Sequence, residues 1–363
     1  MMESPRGKLL IAACSSGNAL ASSVLKSYKE SFPLGGDAEE PLFLPGIDFR
    51  FSDAETCVRL NSDVSGCDVF LFQGLYDPES GGSVDQNLMA LFAAIRAFRE
   101  WGARHVTAIL PYFAYARQDR PSRSRREPTT ARLVADLMIE SGIDRIITVH
   151  PHVPIHALFG RIPVHSIETT DLFTKEFSAL EGREDVVAIA PDGGALKFVS
   201  RFSRALRIKT AVALKERASD GSVSSELVGD LKGKTIAVVL DDMISSGETM
   251  YVVVRKLAGM SIRQIMIGVT HNLCMESARA HLMDLHSKHN LRKVVVTDSI
   301  TQSGAFQSLP FLRVMPLADM LGKVINQVHC EYPIDAIRDE AEVTDKKTGV
   351  ARSLQTPPSS NLK

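Results

Sequence analysis

Short apolar runs alternate with amphipathic stretches along most of the chain. The runs cover residues 9–14, 67–75, 105–110, 145–150, 185–190, 209–214, 235–240, 264–271 and 293–300. Between them, residues 86–102 and 129–142 repeat apolar side chains at helical spacing and end in a glycine. Because the runs lack polar alternation and are separated by helices, they predict parallel β-sheets covered by helices on both faces.

The number of these runs predicts more than one domain, since they are too many for one modest sheet. The chain has 363 residues, which is enough for about two domains. We therefore expect an α/β protein with two doubly wound parallel-sheet domains, covering residues 8–160 and 161–335. The polar residues 341–363 are expected to form a disordered tail.

Composition narrows the class of protein without naming a function. The 42 basic and 43 acidic residues leave a net charge of −1, so no global charge indicates nucleic acid or a membrane surface as partner. No apolar run approaches the roughly 18 residues of a membrane span. The five cysteines include no C-x-x-C pair and are typical of reduced thiols, so we expect a cytoplasmic protein.

The stretch VVLDDMISSGETM, residues 238–250, is the first candidate for a binding site. In a doubly wound sheet, ligands bind where the strands end, and here an apolar run ends in Asp241 and Asp242. A small, polar turn then opens a helical pattern; it consists of Ser245, Ser246, Gly247, Glu248 and Thr249. Such a turn offers backbone N–H groups and the positive end of a helix dipole to a phosphate.

The two acids cannot also hold a phosphate, and they suit ribose hydroxyls or a hydrated Mg²⁺. The stretch therefore predicts a sugar phosphate site. An ordinary strand-to-helix turn with surface acids remains the alternative reading of the residues alone.

Three segments together resemble one enzyme family. The acid pair and turn of residues 241–249 resemble the phosphoribosyl diphosphate loop of type I phosphoribosyltransferases. PYFAYARQDR (111–120) and FRFSDAETCVRL (49–60) resemble the nucleotide-binding segments of ribose-phosphate pyrophosphokinases. The resemblance runs in order from about residue 8 to residue 330, and the chain is identified as an atypical member of this family. It implies two domains of the type I phosphoribosyltransferase kind.

The resemblance implies an ATP site in the first domain. Its expected contacts with ATP are Phe51, Asp53, Glu55, Arg117 and Gln118. Phe51 would stack on adenine, and the arginine fork of Arg117 suits a polyphosphate. From the residues alone, the basic run 116–126 is also consistent with a solvated charge run or a nucleic-acid patch.

The resemblance also implies a Mg²⁺ site formed by His152 and Asp192, with His152 as a catalytic residue. His150 stands where the family has an acid, and imidazole is a poor Mg²⁺ ligand beside carboxylate. Read alone, His150 and His152 could form a zinc pair, and Asp192 could belong to a plain Asp-Gly turn.

Lys215 and Arg217 match the catalytic basic pair of the family, and Arg217 is also expected to contact ribose 5-phosphate. The surrounding residues 213–229 contain Gly and several Ser, and we expect a mobile loop. Glu216, Ser245 and Glu248 depart from the family pattern. Ser245 would bind ribose hydroxyls more weakly than the family's Asp, and Glu248 would repel a phosphate unless it pointed away.

The expected activity is ribose-phosphate diphosphokinase activity, the transfer of diphosphate from Mg·ATP to ribose 5-phosphate. The alternatives are a catalytically weak regulatory subunit of such an enzyme and a phosphoribosyltransferase that uses the same turn. The resemblance further implies a homo-oligomer built from dimers, up to a hexamer, with ATP sites formed partly across a subunit boundary. No nucleic acid and no membrane is expected as a partner.

Overall fold

The computed structural model of the chain describes residues 4–32, 40–121, 126–217 and 223–332, and for residues 215–217 and 223–225 it describes the backbone alone. The expected tail at 341–363 lies outside the described residues. Strands and helices are numbered below in chain order.

The first sheet has six parallel strands. From edge to edge it contains β2 (Leu42–Leu44), β1 (Leu9–Ala13), β5 (Asp68–Phe72), β6 (His105–Leu110), β7 (Arg145–Val149) and β8 (Val164–Ile167). A small antiparallel hairpin, β3 (Asp48–Arg50) and β4 (Thr56–Val58), forms a separate two-stranded sheet. Every residue of β1 and β5 is buried, as expected for parallel strands with both faces covered.

Helices cover both faces of the first sheet. They are α1 (Asn18–Ser31), α2 (Val84–Glu100), α3 (Thr130–Ser141) and α10 (Ala318–His329), with a short α4 (His156–Phe159). Apolar side chains of α2 and α3 pack in the core on one face, and those of α1 and α10 pack in the core on the other. The helical spacing expected for residues 86–102 and 129–142 is confirmed by α2 and α3.

The second sheet has seven strands. Its order is β11 (Val223–Val228), β10 (Lys209–Arg217), β9 (Val186–Ala190), β12 (Ile236–Ile244), β13 (Gln264–Asn272), β14 (Leu291–Thr297) and β15 (Leu312–Met315). All neighbouring strands are parallel except β10 and β11. Its helices are α5 (Thr170–Glu176), α6 (Leu196–Ala205), α7 (Glu248–Ala258), α8 (Glu276–Lys288) and α9 (Gly304–Gln307).

The helices of the second sheet also lie on both faces. Aromatic side chains of α5 and α6 pack in one core, and aliphatic side chains of α7 and α8 pack in the other. The chain therefore contains two doubly wound sheets, as its apolar pattern predicts.

The strands do not divide between the sheets at residue 160. Strand β8 lies beyond that residue and still extends the first sheet, because its backbone pairs with β7. Helix α10 returns from the end of the chain to pack against α1 of the first sheet. The expected second segment, 161–335, thus begins with a strand of the first sheet and ends with a helix that packs on the first sheet.

The expected mobile loop over residues 213–229 is wrong for the described part of that segment. Residues 212–217 pair antiparallel with residues 223–228, so β10 and β11 form a hairpin. The apolar residues near its base, Ala213 and Leu227, pair directly, and the ladder satisfies backbone groups that a loop would leave to water. Residues 218–222 lie outside the described part. Among the described residues, no helix is long and apolar enough to cross a membrane.

Candidate active site

A cavity of about 250 Å³ lies between the carboxyl ends of the two sheets. The first sheet contributes the loop after β7 and Arg117. The second sheet contributes the loop after β9, the end of β12 and the start of α7. The predicted site residues that line it are Arg117, His152, Asp192, Asp241, Asp242, Ser245, Ser246, Gly247, Glu248 and Thr249. The rule that ligands bind at strand ends is therefore sufficient to place most of the predicted residues in one cavity.

The turn between β12 and α7 has the geometry that a phosphate site needs. Gly247 precedes the helix with φ of 80°, a conformation that favours glycine. A Cβ at this position would lie 3.0 Å from the Cα of Ala278 on α8. The hydroxyl of Ser245 accepts a hydrogen bond from the backbone N–H of Ser246 at 2.7 Å. The first turn of α7 directs backbone N–H groups that have no intrahelical partner toward the cavity side of this turn.

The two acids at the end of β12 have opposite electrostatic behaviour. Burial would raise the pKa of Asp242, but a 2.7 Å hydrogen bond from His152 and the charge of that ring lower it to about 2. Burial, and then the charge of Asp242, raise the pKa of Asp241 well above its usual range. Asp242 is thus an ionised acceptor at neutral pH, whereas Asp241 is biased toward the protonated form, which can donate a hydrogen bond.

His152 is the partner that fixes this arrangement. Its ring comes from the loop after β7 of the first sheet, and the hydrogen bond to Asp242 raises the pKa of His152 above the ordinary value. The imidazolium form is therefore favoured. The pair joins the two sheets across the cavity.

His150 has a different environment from His152, although only one residue separates them. Its Nδ1 lies 2.9 Å from the hydroxyls of both Thr169 and Thr270, and its ring packs edge-on against Phe198 at 4.4 Å. Burial lowers the pKa of His150. The backbone has a φ of 39° here. The replacement of the expected acid therefore places a partly buried ring, whose pKa is lowered, between two hydroxyls at the wall of the cavity.

His271 is a residue near the site that the sequence reasoning missed. It lies at the end of β13, fully buried, and its Nε2 is 3.1 Å from the carbonyl oxygens of Val149 and His150. Its Nδ1 is 2.8 Å from the hydroxyl of Ser299, and burial lowers its pKa to about 4. A neutral ring that donates from Nε2 holds the loop before His152 against the second sheet. Its position as the last residue of the apolar run 264–271 was the available signal.

Asp192 lies in the loop between β9 and α6 and lines the cavity. Its Oδ1 accepts hydrogen bonds from the backbone N–H groups of Gly194 and Ala195 at 2.9 and 3.2 Å. This is the Asp-Gly turn that the residues alone suggest, and the same carboxyl group also lines the cavity. Asp192 can therefore stabilise the turn and also contact a bound ligand or cation.

The other ATP candidates do not line this cavity. Phe51 lies in the turn of the β3–β4 hairpin, half exposed, with its ring 5.3 Å from that of Phe49. Asp53 is in the same turn and accepts a hydrogen bond from the backbone N–H of Glu55 at 3.1 Å. Gln118 is exposed and accepts a 2.6 Å hydrogen bond from Thr130. Arg117 alone among the five reaches the cavity.

Lys215 and Arg217 lie in the last part of β10, paired with Ser225 and Val223 of β11. The structure describes only the backbone of these two residues. The hairpin places their backbone at the carboxyl-end side of β9, because β9 and β10 run parallel.

Comparisons with known proteins identify the family. Residues 10–142 match the model of the N-terminal domain of ribose phosphate pyrophosphokinase, and residues 162–303 match that of the phosphoribosyl transferase domain. A ribose-phosphate pyrophosphokinase of Vibrio vulnificus is 33% identical over 290 residues, which are 79% of this chain and 89% of the relative. The chain belongs to the ribose-phosphate pyrophosphokinase family.

Further relatives agree with this family. A ribose-phosphate pyrophosphokinase of Clostridium acetobutylicum is 30% identical over 293 residues, covering 80% of this chain and 88% of the relative. The crystal structure of phosphoribosylpyrophosphate synthetase from Mycobacterium smegmatis superposes with a TM-score of 0.74 at 29% identity, covering 88% of this chain and 98% of that one. The predicted family and fold class are confirmed, and nothing in these relatives supports the regulatory-subunit alternative.

Membership of the pyrophosphokinase family implies that Mg²⁺ is used. The cavity suits a Mg²⁺ ion that arrives bound to a substrate phosphate better than one held by the protein alone. Within the described ranges, no group of three His, Cys, Asp or Glu side chains could hold a metal ion by itself. Asp192 and His152 both line the cavity, but the Nδ1 of His152 is engaged with Asp242. Mg²⁺ keeps several waters and is commonly bound by one or two carboxylates together with substrate phosphates. One carboxylate that lines an open cavity meets that requirement. The zinc pair has no such support, because the Nδ1 atoms of His150 and His152 have separate partners.

Proposed function

We propose that the chain transfers the diphosphate group of ATP to the anomeric hydroxyl of ribose 5-phosphate, which gives phosphoribosyl diphosphate and AMP. This proposal rests mainly on one cavity that is lined by the turn 245–249 and by Arg117. The same cavity is lined by the carboxyl groups of Asp242, whose pKa is lowered, and Asp241, whose pKa is raised. Two substrates, one of them a polyphosphate, require these features in one place.

Ribose 5-phosphate is proposed to bind with its phosphate in the turn 245–249. Backbone N–H groups and the hydroxyls of Ser245, Ser246 and Thr249 would donate to the phosphate oxygens. The ribose hydroxyls would lie over Asp241 and Asp242. The ionised Asp242 accepts from one hydroxyl, while a protonated Asp241 can donate to another oxygen.

ATP is proposed to approach from the side of the first sheet, with Arg117 on its phosphates. The anomeric oxygen forms a bond to the β-phosphorus, the bond from that phosphorus to the oxygen shared with the α-phosphorus breaks, and AMP leaves with that oxygen. The hydroxyl proton is released. Such a transfer depends on in-line placement and on charge stabilisation rather than on a covalent nucleophile.

Several groups would balance the phosphate charge. His152, whose pKa is raised by the hydrogen bond to Asp242, and Arg117 both line the cavity. Mg²⁺, when bound with ATP at Asp192, would neutralise the phosphate oxygens. Lys215 and Arg217 are proposed to act on the transferring group, by resemblance to the family's basic pair.

Two wider expectations belong to the same proposal. The chain is proposed to form a homo-oligomer built from dimers, in which Phe51, Asp53, Glu55 and Gln118 complete the ATP site of a neighbouring copy. None of these four residues lines the cavity of its own chain, which supports this arrangement. A cytoplasmic location, expected from the cysteine pattern, stays a prediction.

The test is AMP release from ATP, with and without ribose 5-phosphate, in the presence of Mg²⁺. Wild-type chain should form AMP only when the sugar is present, and Lys215→Ala should cut the rate by about two orders of magnitude or more, the scale of losing one charged group that stabilises a transition state. Lys209→Ala, at the opposite end of the same strand, is the matched control and should retain the wild-type rate. Absence of sugar-dependent AMP in the wild-type chain would refute the activity.

A further inference from the structure

A carboxylate lies where the phosphate-type turn enters helix α7, and a bound anion would repel it. Glu248 is the first residue of α7, lines the cavity, and has a side chain that is 66% exposed. Its Oε2 lies 3.7 Å from the Nε2 of His281, which comes from the neighbouring helix α8. The carboxylate therefore has a cationic partner available when the imidazole is protonated.

The ring of His281 is held by two further contacts. Its Nδ1 lies 3.0 Å from the carbonyl oxygen of Ser246, the residue before Gly247 in the turn. The ring stacks on Tyr251 with centroids 4.6 Å apart and planes at 27°, and the Tyr251 hydroxyl donates to Asp284 at 2.9 Å. The imidazole thus connects the backbone of the turn with α8.

These contacts determine which nitrogen can donate. A carbonyl oxygen can only accept, so Nδ1 must carry the proton that it shares with Ser246. Nε2 can then donate to Glu248 only in the doubly protonated ring. In that state one side chain anchors the turn and also neutralises the acid that faces the bound phosphate.

We propose that His281 is a positioning residue for the sugar phosphate, and that the His281–Glu248 pair sets the affinity of the turn for it. This inference rests on the proposed placement of ribose 5-phosphate in residues 245–249. Glu248 weakens phosphate binding through like-charge repulsion. The Nε2 of His281, 3.7 Å from the Glu248 carboxylate, offsets that repulsion when the ring is protonated, and Nδ1 holds the carbonyl of Ser246 so that the N–H groups beyond it face the ligand.

Three variants separate the charge of His281 from its hydrogen bond. His281→Asn keeps an N–H donor for the carbonyl of Ser246 but cannot carry a charge. Glu248→Gln removes the repelling charge at nearly constant shape. The double variant tests whether the two effects depend on each other.

The KM for ribose 5-phosphate should fall about three-fold in Glu248→Gln and rise about three-fold in His281→Asn, the scale of a partly exposed charge pair. In the Glu248→Gln background, His281→Asn should have almost no effect, because there is no charge left to offset. The KM for ATP should stay constant in all three variants, which a general structural defect would not allow.

Glu181→Gln is the matched control. It removes one exposed carboxylate, which is paired with Arg207 and precedes β9 at the amino end of the strands of the same sheet. This variant should leave the KM for ribose 5-phosphate unchanged. Equal effects of His281→Asn with and without Glu248 would overturn the proposal, and so would a change in the KM for ATP of the same size.

Calorimetric titration with ribose 5-phosphate, and separately with inorganic phosphate, distinguishes this inference from the proposed function. If affinities change as stated while no AMP forms, the activity is refuted and the role of the pair stands. If AMP forms but affinities for ribose 5-phosphate are equal in wild type and all variants, the pair has no such role. A wild-type chain that binds neither ligand would overturn the inference as well.

Discussion

The carboxyl ends of the two sheets differ in how much of a binding site each completes. At the second sheet, the loop after β9, the end of β12 and the turn 245–249 all line one cavity. Among the described residues of the first sheet, Arg117 and the loop after β7 line that cavity, and the hairpin that carries Phe51 does not. One chain therefore presents a continuous site for a sugar phosphate and a discontinuous set of residues for a nucleotide.

The difference reflects how each group of residues is positioned. Asp192 follows β9, and Asp241 and Asp242 lie near the end of the adjacent parallel strand β12, so the pairing of those strands alone brings them together. The β3–β4 hairpin belongs to neither large sheet, and strand pairing in the large sheets places no constraint on its turn. If the hairpin contributes to the site, something else must bring its turn close to the cavity. We propose that a second copy of the chain does so.

The largest expected effect lies in the second sheet. Asp242→Asn should lower kcat/KM roughly 10- to 100-fold, because it removes an ionised acceptor from the ribose hydroxyls and the partner that keeps His152 charged. Steady-state AMP release measures this. Asp230→Asn, in an exposed turn at the opposite end of β12, controls for the loss of one carboxylate, and an equal loss in both variants would contradict the assignment.

A smaller effect is expected at the hairpin, and it should be selective. Phe51→Ala should raise the KM for ATP about five- to ten-fold, the scale of losing one base-stacking contact, and it should leave the KM for ribose 5-phosphate unchanged. Phe51→Tyr retains the ring and should behave as wild type. If both KM values rise together in Phe51→Ala, the hairpin and the cavity are not separate regions.

The smallest effect is expected where the second sheet meets helix α10, which packs on the first sheet. Asp298 follows β14 and accepts a hydrogen bond from the N–H of Leu317, one residue before α10, at 2.8 Å. Burial raises its pKa to about 6 despite that hydrogen bond. A folded-state pKa above the unfolded value stabilises the fold below about pH 4, and this contribution is lost as pH rises through 6.

Asp298→Asn removes this titration while keeping the acceptor. The variant should gain stability relative to wild type by about 1 kcal/mol between pH 5 and pH 8. Urea unfolding at the two pH values measures the change. A pH-independent difference between the two proteins would show that Asp298 is not the titrating group.

Much of the fold could be predicted from the sequence, because buried parallel strands leave unbroken apolar runs. Residues 235–240 and 264–271 correspond to β12 and β13, which the structure extends to Ile244 and Asn272. The placement of β8 and α10 on the first sheet could not be predicted in this way. Their packing partners are remote in sequence, and no local pattern identifies them.

The site was predictable to the same degree. Residues that directly follow apolar runs, such as Asp241, or come two residues later, such as Asp192, were found by position alone. The direction of a side chain was not predictable: His150 turns to Thr169 and Thr270, and the partner of Glu248 is on another helix. His271 is the last residue of the apolar run 264–271, whereas Asp241 comes directly after the run 235–240, and a rule extended to the final residue of each run would have found it.

Complementation between two impaired variants tests the central contrast most directly. Asp242→Asn disables the second-sheet part of the site, and Phe51→Ala combined with Asp53→Asn disables the hairpin. If the hairpin serves the cavity of a neighbouring copy, mixed oligomers contain sites with both parts intact, and mixing should restore AMP release above that of either variant. Activity equal to the sum of the separate variants, in oligomers shown to have exchanged subunits, would contradict this account.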